Sequence, residues 1–366
     1  MALILTFLGK GGTGCTTVAV AAARQFASQG KRVLLAGQDP SPALSLLVGA
    51  PLGADPQPIA SNLNALQLQS SVLLERAWDE LKQQETQYLR TPILKAVYGQ
   101  ELGVLPGMDT ALALNAIREY DASGQYDVII YDGHGDQSTL RMLGMPETLS
   151  WYFRRFRQVF LESDLGKAIS PFVQPISAAV LNVNWSGDIF SQPAANQANN
   201  QLEQGKAAVA NPNRVAAYLV TTAEQSAIVT AKYLWGSAQQ VGLTVGGVLL
   251  NQAEITAAIR AEFAPLPIHS LPTRTGEDWQ VIEQSLPDFF QAVQAPNPIA
   301  IDVAERKVSL FLPGFDKKQV KLTQYGPEVT VEAGDQRRNI ALPPELRGKQ
   351  VIGAKFQDNY LVISFG

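Results

Sequence analysis

The sequence predicts an α/β protein: a doubly wound, mostly parallel sheet carrying a helical insertion, plus a small C-terminal all-β sandwich. Two patterns predict it. Short apolar runs ending on glycine or aspartate alternate with stretches of helical spacing up to about residue 295. After "QAPNPIAID" the helical spacing stops and short alternating strands take over. In chain order, "ALILTFL" is a continuous apolar run before glycines and reads as a buried parallel strand. "CTTVAVAAARQFASQG" then has helical spacing and closes at Gly30. "KRVLLAGQD" and "YDVIIYDG" are strands that each reach an aspartate, while "AAYLVTT" and "VGGVLLNQ" are later strands separated by helical sequence. Between Met145 and Pro212 the pattern changes: "WYFRRFRQVF" precedes the polar "SQPAANQANNQLEQGK", which reads as a helical insertion with a mobile section. A linker near residues 294 to 300 separates domain 1–295 from domain 300–366, whose strands include "KVSLFLPG", "EVTVEAG", "NIALP" and "NYLVISF".

Composition narrows the function. A chain of 366 residues has room for a full core and a second small one. Its net charge of -4, from 29 basic and 33 acidic residues, gives no basic footprint, so nucleic acid is not an expected partner. One cysteine excludes internal disulfides, zinc sites built on cysteine pairs and a self-contained iron–sulfur cluster. The N-terminus has no basic n-region and no apolar stretch is of spanning length. A soluble, cytoplasmic protein without stable membrane insertion is therefore expected.

Ligands on doubly wound sheets sit at the carboxyl ends of the strands, where Lys10, Asp39, Asp132 and Asn251 should converge. Gly9, Lys10, Gly11, Gly12, Thr13, Gly14, Cys15, Thr16 and Thr17 connect the first strand to the first helix. Phosphate binding needs backbone N–H groups at a helix N-terminus, glycines that permit close approach, a lysine for charge and a hydroxyl for magnesium. The loop supplies all but the lysine, whose place before Thr16 is held by Cys15. The plain alternatives are an ordinary strand-to-helix turn and, for Asp39 and Asp132, helix caps. The glycines, the paired threonines and the apolar strand favour a nucleotide, ATP or ADP with Mg2+.

On these residues, "KGGTGCTT" resembles the deviant Walker A loop "KGGxGKTT" of the P-loop NTPase family that contains the arsenite-pump ATPase (ArsA) and the tail-anchored-protein targeting ATPase. "QDPSPALSLL" looks like that family's switch I, and "YDVIIYDGHGDQSTLRMLGMPETL" resembles its Walker B strand and switch II. "PGMDTALALNAI" and "YLVTTAEQSAIVTAKYLWGSAQQVGLTVGGVLLNQ" are similar to two further segments. The resemblance runs from residue 1 to about 295, interrupted over the insertion. It implies a homodimer in which Lys10 reaches the partner subunit's phosphates, Thr16 and Asp132 serve the magnesium, Asp39 orients the attacking water and Asn251 contacts adenine.

Cys15 is the main departure. A charge-assisted hydrogen bond contributes about 1.5 to 3 kcal/mol, so its loss weakens nucleotide binding by about tenfold to a hundredfold and hinders hydrolysis more. ATP binding with slow or absent turnover is expected. Cys15 itself is either a tolerated substitution or, because a helix N-terminus lowers thiol pKa, a reactive group when the site is empty. "GHGD" replaces the family's "TAPT", Ser138 takes its switch II histidine position, and the zinc-binding cysteine pair that clamps the targeting ATPase dimer is absent. His134, alone, is no metal site.

Phe153, Phe156 and Phe160 fall on one helical face, with Arg154, Arg155 and Arg157 largely elsewhere. A core helix, a groove for hydrophobic clients and a membrane-surface helix all fit that pattern. "LFLPGFDKKQVKLTQYGPEVTVEAGDQRRNIALPPEL" resembles the α-crystallin (small heat-shock) domain. Such a domain either binds apolar segments or covers the insertion. Together these imply an ATP-binding dimer that chaperones or targets hydrophobic clients, the alternatives being a non-catalytic ATP-sensing protein and a partitioning ATPase. One cysteine disfavours arsenite transport.

Overall fold

The computed structural model describes residues 1–88, 107–162, 192–274, 276, 278–290 and 295–366. Its larger sheet is built from β1 (Leu3–Leu8), β2 (Val33–Gly37), β3 (Gln57–Ala60), β4 (Leu63–Gln67), β5 (Val128–Asp132), β6 (Val215–Thr221), β7 (Thr244–Asn251) and β8 (Ile268–Leu271). The spatial order is β3-β4-β2-β5-β1-β6-β7-β8. Every neighbouring pair is parallel except β3 with β4, so the sheet is parallel with one antiparallel edge. Strands β2, β5 and β6 are buried along their whole length, which is why they read as unbroken apolar runs.

Helices cover both faces. On one side lie α1 (Cys15–Ser28), α2 (Ala43–Val48) and α9 (Gln280–Ser285); on the other lie α4 (Met108–Ala122), α5 (Gln137–Glu162), α6 (Gln192–Ala210) and α7 (Gln225–Gln240). Two further helices are α3 (Ser70–Tyr88) and α8 (Ala257–Phe263). Alternating residues of β1 divide between two cores, Leu3, Leu5 and Phe7 on the α1 side and Leu8 on the other. Small residues let α1 approach the sheet closely, with Ala19, Ala21, Ala22 and Ala23 fully buried.

Within the expected insertion, α5 starts at Gln137 and passes through Pro146 without ending. The polar stretch after Ser191 is largely the helix α6, built from the strong helix formers alanine, glutamine, glutamate and lysine. The side chains of Phe153, Phe156, Phe160 and Arg157, and residues 163–191, lie outside the described residues.

The C-terminal unit has a four-stranded sheet, β14 (Val351–Gln357), β15 (Tyr360–Phe365), β10 (Lys307–Phe311) and β9 (Ile299–Asp302), in that order. It faces a three-stranded one, β11 (Val320–Tyr325), β12 (Glu328–Ala333) and β13 (Gln336–Ala341). Their pairings are antiparallel, and Val308, Leu310, Val331, Ile340, Leu361 and Ile363 fill the space between the sheets. The unit docks on α7 and α5. Trp235 meets Phe311 edge to face at 5.4 Å, Arg338 donates to the Gln239 carbonyl at 2.7 Å, and Trp151 donates to Glu328 at 2.9 Å.

Candidate nucleotide-binding site

Residues Gly9 to Gly14 leave the end of β1 and turn into α1. Gly9 is confined: a Cβ there would stand 2.2 Å from the Val220 carbonyl oxygen and 2.6 Å from Thr13 Oγ1. Gly14 caps α1 at φ 98°, where a Cβ would lie 2.5 Å from Asn251 Nδ2. Nothing would meet a Cβ on Gly11 or Gly12, so the loop's outer side is open while its inner side is braced. The brace consists of Asn251 donating to the Thr13 carbonyl at 2.9 Å and Gly9 N–H donating to Gly135 O at 2.8 Å. The Asn251 amide is thus engaged by the loop, a contact the sequence did not suggest.

The carboxylates come from neighbouring strands. Asp132 ends β5 at 5% exposure, and its carboxyl is hydrogen-bonded by the Thr16 side chain. Burial pushes that carboxyl up to about 7; the Thr16 bond opposes the shift and the nearby charge of Asp39 adds to it. Asp39 follows β2, is exposed, and accepts the Ser41 N–H at 2.9 Å, while its own carbonyl is bonded by Gln67. Neither aspartate caps a helix: α2 begins four residues after Asp39 with Pro42 at its N-cap. The structure therefore brings Thr13, Thr16, Asp39, Asp132 and Asn251 to one end of the sheet, as the strand-end rule requires.

Lys10 lies at the same sheet end. Its ammonium donates to Ser226 Oγ at 2.7 Å and pairs with Glu224 at 3.2 Å, both just past β6. Within one chain this cation is turned sideways onto α7. Glu224 and Ser226 escaped sequence reasoning, although "AEQS" directly after an apolar strand places an acid and a hydroxyl at the same sheet end.

Cys15 opens α1, with Sγ 3.8 Å from Thr13 Oγ1. Cβ atoms built on Gly9 and Gly135 would lie 3.1 and 3.4 Å from that sulfur, so it sits between the phosphate loop and the segment after β5. Burial pushes the thiol up to about 12, helped by Asp132 and opposed by the Thr13 hydroxyl. Of the two readings of Cys15, this favours the tolerated substitution: desolvation outweighs the helix terminus. His134 is exposed, and no metal-binding group of three or more His, Cys, Asp or Glu side chains occurs among the described residues.

The residues fit a nucleotide–magnesium group in part. A buried carboxylate beside a threonine hydroxyl is a hard-oxygen donor set whose desolvation a divalent cation would offset. Open glycine backbone at a helix N-terminus suits phosphate. The position that would add a cation from within the loop carries a neutral thiol.

Comparison with known proteins agrees with this arrangement. Residues 2–265 match the model of the anion-transporting ATPase family, and residues 304–365 match an HSP20-like domain found in ArsA proteins. A protein named "Putative arsenical pump-driving ATPase" from Chlorobaculum tepidum is 27% identical over 394 residues, covering 99% of this chain and 95% of that one. Protein Rv2184c of Mycobacterium tuberculosis is 26% identical over 427 residues, with 100% and 96% covered. The ATPase GET3 of Malassezia globosa is 23% identical over 309 residues, with 80% and 87% covered. A P-loop ATPase fold and a site of this geometry define the class. The chain belongs to the anion-transporting ATPase (ArsA) family and carries that family's HSP20-like domain.

Proposed function

We propose that the chain is a nucleotide-gated, homodimeric ATPase that handles hydrophobic, membrane-protein-like polypeptide clients and turns over slowly. Gly9, Gly11, Gly12, Gly14 and the α1 N-terminus hold the phosphates of ATP or ADP, with Thr13 and Thr17 flanking. Thr16 and Asp132 hold Mg2+, which would draw charge from the phosphoryl oxygens. Asp39 positions the attacking water, Asn251 stands beside the loop on the adenine side, and Lys10 serves the partner subunit's nucleotide.

The observation that carries slow turnover is the neutral, half-buried Cys15 thiol in the position of a loop cation. Charge building on a transferring phosphoryl group is stabilised mainly by fixed positive groups, and Lys10 must leave Glu224 and Ser226 before it can supply one. Client handling is supported by the resemblance of the loop and switch segments to the family that contains the tail-anchored-protein targeting ATPase. Arsenite transport is not part of the proposal, because metalloid capture needs clustered thiols and this chain has one cysteine. No helix among the described residues is long and apolar enough to cross a membrane.

Single-turnover hydrolysis of bound ATP tests the reading. The wild type should hydrolyse slowly, Asp39→Asn should stop, and Cys15→Lys should run about a hundredfold faster, the scale of one transition-state charge contact. Equal rates in wild type and Cys15→Lys would overturn the role given to Cys15. Cys15 also favours a second reading, in which ATP is a sensing ligand; tight binding with no wild-type hydrolysis would select it.

A further inference from the structure

A cavity of about 120 Å³ lies between β1 of the sheet and helices α4, α5 and α6, and it contains no residue of the phosphate loop. Its wall is aliphatic and sulfur-bearing, including Ile4, Leu114, Met142, Leu149, Leu202 and Val209. Its charged lining residues are already matched: Arg214 pairs with Asp121 at 2.7 Å, and Arg118 donates to Asn115 Oδ1 at 2.7 Å. Two polar atoms are not matched. The Thr6 hydroxyl, on a residue 1% exposed, and Gln201 Oε1 are both buried and have no hydrogen-bond partner within the protein. Buried polar atoms in natural proteins are seldom left unpaired.

We infer that this cavity is a binding site for a small, neutral, largely apolar molecule carrying one hydroxyl, of the size and chemistry of a phenol. The volume limits the occupant to a single small ring at most, a dry apolar cavity of about 150 Å³ being the size that holds benzene. The self-paired arginines exclude a need for charge on the ligand. The hydroxyl can bond Thr6 Oγ1 or donate to Gln201 Oε1. Water is a poorer occupant, because an apolar wall gives it few partners. A ligand here sits beneath α5, the helix that leaves the segment after Asp132, in a site separate from the nucleotide's.

Calorimetric titration of the full chain with phenol and with toluene, a ring of similar size lacking the hydroxyl, tests this. Phenol should bind saturably and more tightly than toluene. Thr6→Val, which keeps the shape, should weaken phenol about three- to tenfold, the worth of one neutral hydrogen bond, and leave toluene unchanged. Ala208→Phe, placed to fill the cavity, should abolish both. Failure of the folded wild type to bind either compound, equal phenol affinity in Thr6→Val, or unaltered binding in Ala208→Phe would each overturn the site. Should Ala208→Phe not fold, Thr6→Val decides alone.

Discussion

At the scale of single residues, two largely desolvated groups, the half-buried Cys15 and the buried Asp132, set how the loop end of the sheet behaves. Cys15 is neutral across the physiological range, so under the proposed function the loop would hold phosphate through backbone amides and any resident cation rather than through its own side chain. Asp132, pushed up to about 7 by burial, keeps its proton in the folded protein over a range where the unfolded chain has lost it. Unfolding then releases a proton between about pH 4 and pH 7, so this carboxyl makes metal-free stability fall as pH rises through that window and level off above it. If Asp132 holds magnesium as proposed, the ion needs the carboxylate, so its apparent affinity should run the other way, strengthening up to about pH 7. Denaturant titrations of metal-free wild type and Asp132→Asn at several pH values check this. The slope over that window should be shallower in the variant, and added Mg2+ should stabilise only the wild type.

At the scale of elements, α5 is the member that joins the two ends of the molecule. It begins at Gln137, whose amide donates to Ser237 of α7 and accepts from Gln336 of β13. Further along, Trp151 donates to Glu328 of β12 while the Arg337 guanidinium lies 5.2 Å over its ring, and Arg155 lies 4.3 Å over Tyr325. Cation–ring contacts of this kind contribute about 0.5–1 kcal/mol each where solvent reaches them. Trp151→Ala should therefore loosen this stretch of α5 locally without unfolding the sheet, seen as faster amide exchange near residue 151 with the β5 amides unchanged. How much of these elements could be read from the sequence followed from burial. Strands β1, β2, β5, β6 and β7 were legible because burial on both faces leaves an uninterrupted apolar run. Edge strand β3 was not, since its residues alternate between partly and fully exposed and include Pro58. The continuity of α5 was hidden by Pro146, which ordinarily argues for a helix end. The site residues were legible where backbone demanded a particular residue, as at Gly9 and Gly14. The Glu224–Lys10 pair was not, because an exposed ion pair leaves no spacing rule in the sequence.

At the scale of the whole molecule, the C-terminal sandwich is packed onto the ATPase core rather than tethered beside it. The sequence left open whether it binds apolar segments or covers the insertion; the described contacts place it on α7 and on the stretch of α5 around Trp151 and Arg155, which belongs to the expected insertion. Arg338 shows how close the fit is. Burial lowers its guanidinium to about 10, Glu147 acts against that shift, and one N–H is held by the Gln239 carbonyl, so it remains charged at neutral pH inside the junction. The tightest point is Gly236 of α7, where a Cβ would stand 2.2 Å from the Pro313 carbonyl oxygen and 2.5 Å from Phe315. Those neighbours are a backbone atom and a buried ring, so neither can turn aside cheaply. Gly236→Val should therefore prise the sandwich from α7 while leaving both hydrophobic cores intact, at a cost of about 1–3 kcal/mol for overpacking. Calorimetry should then show two unfolding transitions in place of one, with the lower removed by deleting residues 299–366. A single transition at the wild-type temperature would mean that the junction contributes nothing to holding the molecule together, and the sandwich would have to be treated as an independent module.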